Sequence, residues 1–205
     1  MASAGDDPPS RKRTAGEDIE QKTVKKISKV VPEERDFSAP VENLTDVVLN
    51  VGGEKFHVSR QVLANYCDFF NTLFYKDHKG EPEVTLADID PVYFQSFLEL
   101  VYGELAIKAY NVEGLIVIAD KLKSEKALVL CGLFLVYIEP KSLERMFELA
   151  VQYKMDVLAE FVTMNIDNMV QFEALVGDRL GTMDPSLARI FNKRARDLNK
   201  AEKEN

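Results

Sequence analysis

The chain has 205 residues, is 46% apolar and carries a net charge of -8, enough apolar material for one packed domain or one domain with a small appendage. It holds no run of about 18 uninterrupted apolar residues, and its opening MASAGDDPPSRKR is charged where a secretory leader would be apolar, so neither membrane spanning nor secretion is expected. The negative balance argues against direct nucleic-acid binding, which needs a positive surface, and the expected location is cytoplasmic, nuclear or both.

Residues 1–40 mix Pro, Ser, Gly and charges of both signs, with few large apolar side chains to offset the entropy of ordering. A disordered N-terminal tail is expected there. Its basic islands, Arg11-Lys12-Arg13 and Lys22, Lys25, Lys26 and Lys29, face nearby acids that nearly cancel them. They read as a charge-balanced tail or as a nuclear import signal.

From Asp46 the pattern changes. Val47, Leu49 and Val51 alternate, Gly52-Gly53 makes a turn, and Phe56 and Val58 continue the same face, which predicts a β-hairpin with one buried side. Ser59 is placed to cap a short helix carrying Val62, Leu63 and Tyr66, and Phe69, Phe70, Leu73 and Phe74 mark a second helical stripe. Val84 and Leu86 alternate as a third strand. Asp90-Pro91 then supplies a cap with Pro in the first turn of a helix bearing Phe94, Phe97, Leu98, Val101 and Tyr102, which Gly103 ends. Asn111 and Ser124 are placed to cap two further helices, one with Val112, Leu115, Ile116, Ala119 and Leu122 inward, the other with Leu128, Cys131, Phe134 and Leu135. Cys67 and Cys131 read as small apolar filler.

Beyond Ser142, Leu143, Met146, Phe147 and Ala150 form one stripe; Leu158, Phe161, Val162, Asn165 and Ile166 form another behind a cap at Asp156. Asp184-Pro185-Ser186 opens a last helix with Leu187, Ile190, Phe191 and Leu198, and a polar tail is expected over 199–205. The fold class is therefore α+β: a small three-stranded mixed sheet flanked by helices, then a C-terminal helical extension over 140–198.

Asp46, Leu49, Val51, Phe56, Leu63, Phe70 and Phe74 together resemble the BTB/POZ family. The likeness continues through Val84-Thr-Leu86, Asp88-Ile-Asp90, Phe94 to Phe97, Tyr102-Gly103 and Ala119-Asp120-Lys121, spanning roughly residues 37 to 138, with the domain itself placed at 44–138. Leu49-Asn-Val-Gly-Gly53 also looks like the tetramerisation-type branch, but VEGLIVIADKLK at 112–123 looks more like ordinary BTB proteins. The helices after residue 140 resemble the start of a BACK-type segment. The resemblance implies a homodimer, with Asp46, Val48, Val62, Leu63 and Tyr66 at the interface and Asp46 as a buried acid near it. It also implies an adaptor role toward cullin-3, through a hydrophobic-x-Glu motif shortly after the second helix. Here those positions read His78-Lys79-Gly80, with Glu81 displaced by one, so the apolar anchor is missing.

No catalytic constellation accompanies these features. His57 alternates out of phase with Phe56 and Val58 and reads as solvent-facing, and neither it nor His78 has a metal-ligand neighbour. Gly52-Gly53 lacks phosphate-loop spacing, and Asp88 and Asp90 suit capping better than acid-base work. No enzyme activity and no cofactor are expected. No internal repeat, Kelch-like blade, MATH-like region or zinc finger is legible. Two readings follow: an adaptor dimer for a cullin-3 ubiquitin ligase, or a scaffold that oligomerises with itself or other BTB proteins, possibly within transcriptional complexes.

Overall fold

Alternating apolar side chains build β1 (Val47–Val51) and β2 (Glu54–Val58), which pair antiparallel with Val51 opposite Glu54. The two-residue connection Gly52-Gly53 has φ of 59° and 90°, values glycine reaches without the Cβ clash that other residues suffer. After the computed structural model's two short helices, α1 (Arg60–Tyr66) and α2 (Asp68–Thr72), the chain returns as β3 (Glu83–Leu86), parallel to β1. The sheet order is β2-β1-β3 and the sheet is mixed, as the sequence predicts. The structure describes residues 35–204, so most of the expected N-terminal tail lies outside the described residues. Packing nevertheless begins before residue 40. Phe37 is 3% exposed, its carbonyl accepts the His57 N–H at 2.7 Å, and its ring meets Tyr102 edge-on.

Leu49, Val51, Phe56 and Val58 face a core completed by Phe70, Phe74, Phe94, Phe97 and Leu98. The aromatic rings touch in edge and offset arrangements, Phe56 on Phe94 at 5.1 Å and Phe70 on Phe74 at 5.4 Å. Helices α3 (Pro91–Val101), α4 (Val112–Lys121) and α5 (Glu125–Tyr137) follow, with Val112, Leu115, Ile116, Ala119 and Leu122 buried as the three-four spacing requires. Cys67 and Cys131 are free and buried.

The caps were only partly legible. Asp90 Oδ1 accepts the Val92 N–H at 2.8 Å, as expected, and Ser142 and Asp184 likewise accept from Arg145 and Ser186. Ser59, Asn111 and Ser124 make no side-chain cap bond. Asn111 instead closes the preceding loop, accepting from the Lys108 N–H and donating to the Ala106 carbonyl, both at 2.8 Å. Asp156 is the first residue of its helix, where its charge opposes the positive helix end, and Met155 holds the cap position.

The extension comprises α6 (Leu143–Tyr153), α7 (Asp156–Met164), α8 (Met169–Leu175), a 3-10 turn over Gly177–Thr182, and α9 (Pro185–Glu204). Phe147 and Phe191 meet edge-on at 5.4 Å and tie α6 to α9. At Gly132 of α5 an added Cβ would stand 3.3 Å from Met155 Cε and 3.5 Å from Val157 Cβ, so glycine lets the start of α7 come close. From Asp36 onward the chain forms one compact unit. The last helix runs to Glu204, beyond the expected end at residue 198, because Lys200-Ala-Glu-Lys-Glu204 are good helix formers even without a core contact.

Candidate functional site

The residues predicted for a dimer interface do not form one exposed patch. Asp46 is exposed in the single chain, and its Oδ1 accepts the Arg60 N–H at 2.8 Å. It thus caps α1 from a distance of fourteen residues. Leu63 is 0% exposed and belongs to the chain's own core. Val48 and Val62 are half-buried. Tyr66 packs its ring edge-on against Phe97, lies under Lys126 Nζ at 5.5 Å, and has a buried hydroxyl with no hydrogen-bond partner among the described residues. Burial pushes that hydroxyl's pKa above the ordinary tyrosine value.

The predicted cullin-contact loop is ordered by its neighbours. A π-helical turn, Leu73–Asp77, carries Phe74 into the core and delivers the chain to His78. His78 Nδ1 lies 3.0 Å from Glu81 Oε2, the Glu81 carbonyl accepts from the Arg60 guanidinium, and the Pro82 carbonyl accepts the Val48 N–H at 2.9 Å. Lys79, Gly80 and Glu81 are exposed, and Gly80 has φ of 82°. The loop therefore offers a partner charge and backbone, with no apolar knob.

A larger apolar surface lies on α5, where the sequence reading placed only core. Val129, Leu130, Leu133 and Tyr137 are exposed, Tyr137 by 79%, and Ile138 follows just past the helix end. At 3.6 residues per turn these four helical positions fall within about 100° of arc, opposite Ala127, Cys131 and Leu135. The signal was the composition of Ala127–Tyr137, apolar on every side, whereas a helix with one packed face shows a polar side to water.

Among the described residues no group of three or more His, Cys, Asp and Glu could hold a metal, and no helix is long and apolar enough to cross a membrane. Burial pushes the Cys67 thiol up to about 11 and the Cys131 thiol up to about 12, so both stay protonated and unreactive near neutral pH. An open groove of about 580 Å³ beside Tyr66 and Cys67 alternates Asp68, Asp120 and Glu125 with Lys123, Lys126 and Lys154, and no single charge dominates it.

A mixed three-stranded sheet with two short helices, further helices over its core and a helical extension defines a protein-interaction module. Residues 37–139 match the BTB/POZ domain family, and the chain belongs to it. The chain is similar to BTB and MATH domain-containing protein 15 of Caenorhabditis elegans, 38% identical over 126 residues that cover 60% of this chain and 46% of that protein. It is also similar to Kelch-like protein 40 of Xenopus laevis, 29% identical over 96 residues, 45% of this chain and 16% of that protein. The chain thus spans less than half the length of these curated relatives. Among solved structures, the BTB domain of human gigaxonin is 18% identical, with a TM-score of 0.39, over 65% of this chain and 98% of that one. The BTB domain of zebrafish PATZ1 is 20% identical, with a TM-score of 0.38, over 60% of this chain and 94% of that one. The family is one of non-catalytic protein-interaction modules.

Proposed function

We propose that the chain is a non-enzymatic adaptor that works as a homodimer and presents a bound partner to a cullin-3-type ligase scaffold. The observation that carries this reading is the exposed apolar stripe of α5, Val129, Leu130, Leu133 and Tyr137. Apolar side chains aligned along one exposed helix face cost solvation free energy until a partner covers them, which is the mark of a protein-docking surface. With no apolar anchor in the His78–Glu81 loop, the stripe is the surface that supplies one.

A second reading is favoured by that loop: a scaffold that binds itself and other BTB proteins without a ligase. His78 and Glu81 satisfy each other at 3.0 Å and leave nothing to fill a hydrophobic pocket. One recombinant sample separates the two readings. Light scattering at tens of micromolar should give twice the 23.2 kDa chain mass, and immobilised cullin-3 N-terminal domain should retain the same sample. A dimer that cullin-3 does not retain selects the scaffold reading; a monomer that cullin-3 does not retain removes both.

A further inference from the structure

Charge is divided unevenly along this chain. Residues 36–184 hold 24 acidic side chains against 12 basic ones, whereas residues 185–204 hold six basic against three acidic. Within α9 the division sharpens. Arg189, Lys193, Arg196, Lys200 and Lys203 recur at spacings of four, three, four and three, which places them within about 80° of arc on one face. Asp197 and Glu202 fall outside that arc. All five cations are exposed, and Arg189, Lys193, Arg196 and Lys203 have no ion pair among the described residues.

The opposite face of α9 is already occupied. Leu187 and Phe191 are fully buried, Leu198 nearly so, and the Arg194 guanidinium donates to the Ile166 carbonyl. The helix is therefore held in place by its apolar side and turns a single-sign face outward. A merely solvated helix face interleaves charges of both signs, since each i,i+4 pair of opposite sign adds a few tenths of a kcal/mol while like pairs cost as much. Here i,i+4 neighbours Arg189 and Lys193 repel, as do Arg196 and Lys200, and the opposite-sign neighbours Lys193 and Asp197 form no ion pair among the described residues.

We propose that this face of α9 is a docking surface for a short acidic protein segment. From Arg189 to Lys203 the stripe is about 21 Å long, the reach of about six or seven extended residues or four helical turns. A segment of that length lies on the cations and ends before it meets the acidic remainder of the domain. Nucleic-acid duplexes and anionic bilayers extend further, and their charge would be carried against that remainder. A bilayer also needs an apolar face to embed, and the one on α9 is packed inside. The surface shares no residue with the α5 stripe.

Fluorescence anisotropy of a labelled oligoglutamate peptide of about ten residues, titrated with the full chain at low salt, tests the proposal. Binding is expected to weaken several-fold as ionic strength rises past about 0.1 M, where screening reaches about 10 Å. The triple variant Arg189→Glu, Lys193→Glu, Arg196→Glu should lose roughly tenfold or more in affinity. Arg189→Gln with Arg196→Gln, a milder pair, should lose part of it, and circular dichroism should match the native chain for both. No binding, or binding that both variants retain, overturns the proposal. So does tighter binding of a DNA duplex of about 20 base pairs, or of phosphatidylserine vesicles, than of the peptide.

Discussion

At Asp46 one carboxylate oxygen satisfies the first free N–H of α1, a duty that falls to the residue just before β1 because the Ser59 hydroxyl makes no cap bond and the Ser59 N–H donates to the Tyr102 hydroxyl at 2.9 Å. Asp46→Ala is therefore expected to cost about 1 kcal/mol in urea unfolding, and Ser59→Ala markedly less; equal losses would return the cap to Ser59. The thiols give a second residue-scale test. With burial holding Cys67 at about 11 and Cys131 at about 12, neither should react with Ellman's reagent at pH 8 in the folded chain, and both should react at once in denaturant. Fast reaction of the folded chain would show that the interior around them opens. The apolar character of both cysteines was legible from their places in helical stripes. The capping role of Asp46 was not, because it depends on where β1 begins in space relative to α1.

Between elements, α3 and α4 approach through Gly114. A Cβ there would stand 2.1 Å from Tyr93 Cε1, so Gly114→Ala must displace the tyrosine ring. The expected loss is about 1 to 3 kcal/mol, and adding Tyr93→Ala should recover part of it in a double-mutant cycle; additive losses would show that the two do not meet. Arg145 of α6 reaches Glu113 of α4 at 2.6 Å and Glu148 at 2.8 Å. Its hydrogen bond holds the Glu113 carboxyl below the ordinary glutamate range. A depressed carboxylate pKa stabilises the fold above the ordinary value and loses that contribution as pH falls through the lowered one. Thermal unfolding should therefore place Glu113→Gln below the native chain at pH 7, with the gap closing in acid; a gap that persists when both side chains are neutral would assign it to something other than charge. The stripes that pack these helices were plain in the sequence, whereas the pairing of residues 113 and 145 was not, because nothing local records which helices become neighbours.

For the molecule as a whole, the periodic signals carried the mixed sheet, the order of helices and the extension, since each follows from side-chain spacing along a single element. They say less about surfaces. Periodicity assigns one inward face per helix and then stops, so the apolar outer face of α5 went unassigned, and the burial of Leu63 in the chain's own core shows only in the packed structure. The adaptor reading depends on that outer face being covered by a partner. Calorimetric titration of the cullin-3 N-terminal domain into the native chain and into Leu133→Asp tests it most directly. The expected result is micromolar or tighter binding by the native chain, and a loss of tenfold or more, about 1.4 kcal/mol, in the variant, which introduces a charge at a 38% exposed position and should stay folded. Equal affinity for the two chains, or no heat from the native one, would contradict the account.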